Sequence, residues 1–541
     1  LKTGWMARFA ALLSAGLLAT APAAAQQVPH IVSQDGRHAL IVDGEPYLML
    51  AAQVNNSSNY PAALPHVWPV MEELNLNTVE VPVAWEQIEP VEGAFDFSFL
   101  DTLIAQAREH DVRLVLLWFA TWKNTNPQYA PRWVKLDNDR FPRMRRADGD
   151  FHYALSPFGE ETLAADKRAF VKLMEYLRDH DRQNTVIMVQ VQNEPGTYGL
   201  ARDHSSEANA LFAGPVPDAL VRQTGKQPGT WTELYGRDAE LYFHSWYVAR
   251  YIDQVAEAGK AVKPLPMYAN AALTGSPFEW QDPNSYASGG PANTVVDVYK
   301  AAAPHLDLVA PDIYTTDHRK YLGFLDAYDR ADNPLMIPET GHTPDYARFF
   351  FEAMGRGAIG WSPFGVDHLR FLPSRPITPK LNFEAIRDFS ANYELFRPID
   401  RLWARLAFEG KVWGASEPND PADEHKQVMQ LGSHVATASF GTGDWGPTEA
   451  KGNDRPKGGV AIARLGPDEY LVAGYFARVE FSMADSEDEN LIFDRVEQGH
   501  YDEDGNWVFE RVWNGDQVDW GLNFTSAPQM LRVKLATYPK R

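Results

Sequence analysis

The chain has 541 residues with 38 Gly, 38 Pro, 16 Trp, 12% aromatic and 23% charged residues, enough for one large domain and one or two smaller ones. A formal charge of −22 at pH 7 argues against nucleic acid or anionic membrane surfaces as partners and suits a neutral substrate. With no cysteine, disulfides and lipoprotein anchoring are excluded and a structural zinc site has no thiolate ligands.

The first residues read as an address. Lys2 and Arg8 precede an apolar run from Phe9 to Ala21, followed by Ala23-Ala24-Ala25 before Gln26. A basic start, a short apolar stretch and small residues at a cut site predict a secretory signal peptide over residues 1–25, and with it a periplasmic or secreted protein. That run is too short to span a bilayer, and no later segment is a candidate for membrane insertion.

Beyond the signal, Arg37 to Tyr47 predicts a hairpin turning at Asp43-Gly44. Apolar strands are then expected at Tyr47–Asn55, Asn77–Trp85, Val112–Phe119 and from Val186, with helical spacing at Val67–Leu76, Phe99–His110 and Glu161–His180 between them. The alternation continues with a helix over Glu240–Ala258 and strands at Leu265–Asn270, Leu306–Tyr314, Leu335–Glu339 and Ala358–Trp361. Eight strands alternating with helices predict an α/β fold, a (β/α)₈ TIM barrel, with an open doubly wound sheet as the rival. The barrel is expected over residues 26–397. Over 398–541 the pattern changes to short strands, such as Val460–Leu465, Tyr470–Phe476 and Trp507–Trp513, with turns at Asp504-Gly505 and Asn514-Gly515. That pattern predicts a C-terminal antiparallel β-sandwich.

Chemistry gathers at the strand ends. The fourth strand, Val186-Ile-Met-Val-Gln-Val-Gln, runs into Asn193-Glu194-Pro195, where proline ends the ladder and leaves a carboxylate at the carboxyl end of a buried strand. Glu339 ends the seventh strand in the same way. Alone, Glu339 reads equally well as a glutamate capping the following helix, and for Glu194 a turn glutamate is the lesser reading. Strands four and seven lie on opposite sides of an eight-stranded mouth, so together the two acids can flank a bound sugar. Glycoside hydrolysis needs that pair, one carboxyl to protonate the leaving oxygen and the other to attack the anomeric carbon. A separation of about 5–5.5 Å means retention, and above about 6.5 Å inversion.

Asn193-Glu194-Pro195 and Glu339 resemble the clan of retaining glycosidases built on TIM barrels. Leu76-Asn-Thr-Val-Glu-Val-Pro-Val-Ala-Trp85 followed by Glu89-Pro-Val-Glu-Gly93-Ala-Phe resembles glycoside hydrolase family 35 β-galactosidases, with family 42 the close relative. The C-terminal module and Ser288-Gly-Gly-Pro291 resemble the bacterial branch that includes xyloglucan-active enzymes. The resemblance implies Glu194 as acid/base and Glu339 as nucleophile, Asn193 at the sugar 2-hydroxyl, and Tyr314 beside the nucleophile. It also implies Trp361 as the floor under the ring, Trp122 and Lys123 as sugar contacts after strand three, and Glu80 and Asn55 as hydroxyl partners. Trp361, Trp122 and Tyr314 read equally as core aromatics, and Lys123, Glu80 and Asn55 as ordinary polar rim residues. The chain departs from the family at Asn55-Asn56, where many members have His-Tyr, and at Thr121, where the animal enzymes have glutamate. Both departures touch sugar recognition.

The expectation is a retaining exo-β-galactosidase acting on an oligosaccharide, without cofactor or metal. Another retaining β-glycosidase of the clan (family 42-like, a β-mannosidase or an endoglycanase) and an inactive carbohydrate-binding scaffold are the alternatives, and a homodimer is left open.

Overall fold

The computed structural model describes residues 27–367, 383–420, 424–442, 449–485, 488–502 and 505–540. The signal segment expected over 1–25 lies outside them, as does Asp504 of the expected Asp-Gly turn.

Eight strands close into a barrel: β1 (Met49–Gln53), β2 (Thr78–Ala84), β3 (Arg113–Lys123), β4 (Val186–Asn193), β5 (Met267–Ala272), β6 (Leu308–Ile313), β7 (Met336–Thr340) and β8 (Gly360–Pro363). They pair in parallel in sequence order, and β8 closes on β1 through Gly360 opposite Met49 and Trp361 opposite Leu50. The open-sheet rival is thereby excluded. Parallel strands buried on both faces need apolar residues at odd and even positions alike. Here Met49, Leu117, Met188, Leu308 and Met336 fill the barrel interior, while Leu50, Val81, Leu116, Val191 and Val309 meet the outer helices. A Cβ at Gly360 would sit 2.8 Å from the Met49 terminal methyl, so only glycine fits there.

The strands His30–Gln34, Arg37–Val42 and Glu45–Tyr47 form an antiparallel sheet turning at Asp43 (φ +58°) and Gly44 (φ +84°). Positive φ at both central residues is what a two-residue hairpin turn requires. Leu40, Val42 and Tyr47 of this sheet join the barrel's interior cluster beside Met49. They stopper the barrel's amino-terminal end and leave the carboxyl end as its mouth.

After the helices Phe383–Phe396 and Asp400–Phe408 the chain enters the second module. Strands β9 (Val412–Ser416), β10 (Lys426–Gln430), β11 (His434–Phe440), β12 (Gly459–Gly466), β13 (Glu469–Tyr475), β14 (Ala477–Met483), β15 (Glu489–Tyr501), β16 (Trp507–Val512), β17 (Leu522–Phe524) and β18 (Gln529–Pro539) build it. They form a six-stranded antiparallel sheet in the order β9-β12-β13-β18-β15-β16 and a four-stranded one in the order β10-β11-β14-β17. Ile462, Val472 and Leu531 of the first sheet pack against Ala436, Val479 and Leu522 of the second. The helix Phe349–Gly355 lies so close on β9 that a Cβ at Gly414 would fall 1.9 Å from the Phe351 carbonyl oxygen. No described helix is long and apolar enough to cross a membrane.

Candidate active site

The barrel mouth is built where four strands change from apolar to polar residues. At the end of β4 the backbone leaves ordinary strand geometry: Gln192 has φ +65° and Glu194 φ +43°. Pro195 disfavours the right-handed helical region for Glu194, and the left-handed region is costly for any residue with a Cβ. The surroundings hold it there. The Glu194 N–H donates to Asn270 Oδ1 at 2.9 Å, and Gln192 Nε2 donates to the buried Asp166 carboxylate at 2.6 Å. That carboxylate also accepts from Trp118 at 2.8 Å and Thr121 at 2.7 Å, tying the ends of β3 and β4 to the helix Glu160–His180.

Glu339, on β7, is 3% exposed and surrounded by donors. Its Oε1 accepts from Gln53 Nε2 at 3.0 Å, Asn193 Nδ2 at 3.3 Å and Asn270 Nδ2 at 3.4 Å. Its Oε2 accepts from the Tyr314 hydroxyl at 2.8 Å. Such a ring suits an ionised carboxylate, which can only accept. Glu194 is nearly as buried but differs in character. Burial, then the Glu339 charge, push its carboxyl up to about 7, against the pull of the Lys123 ammonium and a hydrogen bond with Asp312. The two acids of one mouth thus sit in different surroundings, Glu339 ringed by donors and Glu194 with its proton held more tightly.

A third carboxyl stands with them. Asp312, on β6, is 2% exposed, and one oxygen each from Glu194, Asp312 and Glu339 lie within 4.8 Å of one another. Asn270 Nδ2 donates to Asp312 Oδ2 at 2.7 Å, so this one amide touches all three acidic residues. Spacing alone would let the three oxygens hold a cation, but the group already has Lys123 beside it and neutral donors around Glu339. A cavity of about 250 Å³ opens beside Glu194 and Asp312, lined also by Tyr198, Thr274, Tyr314 and Thr315.

The structure therefore brings Glu194, Glu339, Asn193, Tyr314 and Lys123 to one place. Lys123 is 8% exposed, contacts Asn124 Oδ1, and lies 5.2 Å from the Phe119 ring centre. Glu80 lies beneath, fully buried on β2, with the Tyr268 hydroxyl 3.3 Å away; burial and then Glu339 push its carboxyl well above the carboxylate range. It supports the floor of the site instead of reaching a sugar hydroxyl.

Besides Glu80, three expectations are corrected. Trp361 is fully buried on the outer face of β8 among Phe350, Phe389 and Tyr393, its N–H given to Tyr321 at 3.3 Å. Trp122 likewise packs on Tyr251, with its N–H on the Leu155 carbonyl at 3.1 Å. Both are core tryptophans, not sugar platforms, because their strand positions point outward. Asn55 caps its own turn, accepting from the Ser57 N–H at 3.2 Å, while its backbone N–H is held by Asp367 at 2.7 Å. Gln53, two residues earlier, is the β1 side chain that reaches Glu339.

Gln53, Asn270 and Asp312 were missed by sequence reasoning. The available signal was strand parity. Gln53 shares the inward phase of Met49 and Ala51, Asn270 that of Tyr268, and Asp312 that of Leu308 and Ala310. The Ser288-Gly-Gly-Pro291 loop also lies at this mouth, Thr197 and Ser288 bridging its wall through paired backbone hydrogen bonds of 2.6 and 3.1 Å.

Comparison with known proteins gives two family matches. Residues 64–261 match the glycoside hydrolase family 42 model, described as beta-galactosidase, a stretch that carries β2 to β4 and Glu194. Residues 389–525 match a domain of unknown function, DUF5597. The sequence pointed to family 35 with 42 as its close relative; the model that matches is that of 42. Beta-galactosidase 14 of Arabidopsis thaliana is 23% identical over 200 residues, 35% of this chain and 21% of that protein's length. The beta-galactosidase of the psychrophilic Marinomonas ef1 superposes with a TM-score of 0.47 at 13% identity, over 66% of this chain and 61% of that one. The exo-beta-1,4-mannosidase Op5Man5 from Opitutaceae bacterium strain TAV5 gives 0.40 at 14% identity, over 70% and 63%.

Proposed function

We propose that the chain is a retaining exo-β-galactosidase of the family 35 and 42 type, removing terminal galactose from oligosaccharides, xyloglucan-derived ones among them. One observation carries the mechanism: oxygens of Glu194 and Glu339 lie within 4.8 Å. That spacing is near the roughly 5–5.5 Å of retaining enzymes and well short of the gap above about 6.5 Å of inverting ones. In the first step Glu194 gives its proton to the glycosidic oxygen as Glu339 attacks the anomeric carbon and the bond to the leaving group breaks. In the second, Glu194 takes a proton from water, the water oxygen attacks the same carbon, and Glu339 leaves.

The neighbours take supporting roles. Tyr314, Gln53, Asn193 and Asn270 aim the nucleophile. Asn193 Oδ1 is buried without a donor among the described residues and offers an acceptor to the sugar's 2-hydroxyl. The galactose preference rests on the match of residues 64–261. The periplasmic or secreted location rests on the residue pattern of 1–25 alone.

Purified protein should release nitrophenol from the aryl β-galactoside and galactose from plant oligosaccharides. Faster release from the β-glucoside or β-mannoside would overturn the sugar assignment, and full activity in Glu339→Gly would overturn the mechanism.

A further inference from the structure

Beside the two acids the mechanism uses lies a carboxyl it does not use. Asp312 Oδ2 is satisfied by Asn270 Nδ2 at 2.7 Å, but Oδ1 is sealed from solvent with no protein donor among the described residues. Glu194, whose carboxyl interacts with that of Asp312 through a hydrogen bond, is itself an acceptor when ionised. Two carboxyls meeting without solvent or an intervening donor are satisfied only when a proton lies between them. Three negative charges within 4.8 Å in a buried site, with the Lys123 ammonium the one cation beside them among the described residues, are not tolerated, so protons must reside on the cluster.

We propose that Asp312 is a positioning residue held as a neutral carboxylic acid, whose O–H donates to Glu194, fixing its rotamer and stabilising its carboxylate between the two steps. The idea rests on the glycosidase reading above. When Glu194 has given its proton to the leaving group, its new charge meets the Asp312 hydroxyl already in place. When Glu194 later takes a proton from water, that hydroxyl returns to its earlier partner geometry. Asp312 neither gains nor loses a proton over the cycle, and each step balances as written for Glu194 and Glu339.

The charges facing Asp312 agree. Burial, then Glu339 on β7 and Glu194 after β4, raise its carboxyl well above the carboxylate range, against the Lys123 ammonium at the end of β3. Among the described residues the phenols of Tyr268 on β5, Tyr314 after β6, Tyr198 after β4 and Tyr328 on the helix His318–Tyr328 also face it. All four are themselves raised and stay neutral, so they offer Asp312 no counter-charge.

The test uses the full chain with Asp312→Asn and Asp312→Ala. Asparagine keeps a neutral donor toward Glu194 and an acceptor toward Asn270; alanine removes both. A difference infrared spectrum of the wild type against Asp312→Asn at pH 7 should contain the carbonyl band of a protonated carboxylic acid. On an activated aryl β-galactoside, Asp312→Asn should stay within about threefold of wild type. Asp312→Ala should lose about 10- to 100-fold in kcat and move the alkaline limb of the pH–rate profile up by about one unit, as Glu194 loses a donor to its charged form. An ionised carboxylate at Asp312 in the infrared, or an alkaline limb unmoved in Asp312→Ala, would overturn the proposal. If the alanine variant does not fold, the infrared band and the asparagine kinetics decide, since asparagine as damaging as a thousandfold loss would mean that an ionised Asp312 is required. A wild type that hydrolyses no aryl glycoside yet shows the band would sink the glycosidase reading alone.

Discussion

The Tyr314 hydroxyl donates to Glu339 Oε2 at 2.8 Å while the ring itself stays half exposed at the barrel mouth. Burial of the hydroxyl and the charge of Glu339 keep the phenol protonated, so the donor is permanent at neutral pH. Tyr314→Phe removes only this oxygen. We expect kcat to fall about 10- to 100-fold, the usual worth of a hydrogen bond to a charged group, with the melting temperature nearly unchanged because the ring is not core. A variant of wild-type kcat would mean that the nucleophile does not depend on this contact.

The pH profile follows from Glu194, whose carboxyl is pushed up to about 7. The proposed acid works only while protonated. The rate at low substrate should therefore be full below that value and fall as pH rises through it, giving an alkaline limb near pH 7. A profile still flat at pH 9 would remove Glu194 from the acid role.

The same shift has a cost in stability. Glu194 ionises near the ordinary carboxylate value when unfolded but near 7 when folded, so between those values the native state binds more protons than the unfolded state. Its contribution to stability thus falls as pH rises from about 4.5 to about 7 and is lowest above that window. Glu194→Gln should melt higher than wild type at pH 8, by up to about 3 kcal/mol, and show no such advantage at pH 4. Chemical denaturation at the two pH values measures this directly, and equal advantages at both would contradict it.

Trp361 and Trp122 supply a prediction opposite to the one their sequence positions suggest. Both are fully buried between strands and helices. Trp361→Ala should cost about 3–5 kcal/mol of stability through the cavity it leaves, while Michaelis constants of the folded fraction stay close to wild type. A large rise in KM without loss of stability would restore the sugar-floor role.

Much of this molecule was legible from periodicity. Apolar strands alternating with amphipathic helices gave eight barrel strands within a few residues of where they lie, and the abrupt ends at Asn193-Glu194-Pro195 and Glu339 marked the mouth. Facing was harder. Trp361 lies one residue after the inward Gly360 and therefore points out, and a sequence without register assigns it to either side. Near β4 even parity fails, because the left-handed residues Gln192 and Glu194 break the alternation that places Asn193. Gln53, Asn270 and Asp312 were hidden for a different reason. A single polar residue in an apolar strand reads as a rim residue until the closed barrel sets it against a carboxylate on another strand. In the second module β9, β10, β11, β15 and β17 were overlooked, since short mixed-polarity segments such as Lys426–Gln430 carry little strand signal of their own.

The central claim is that Glu194 and Glu339 act in two successive displacements at one carbon. Proton NMR of the first sugar released from an aryl β-galactoside reads this directly, before the anomers equilibrate. The account predicts that the β-anomer forms first, in keeping with the 4.8 Å bound on the carboxylate oxygens. An α-anomer as the initial product would mean a single displacement by water and would contradict it.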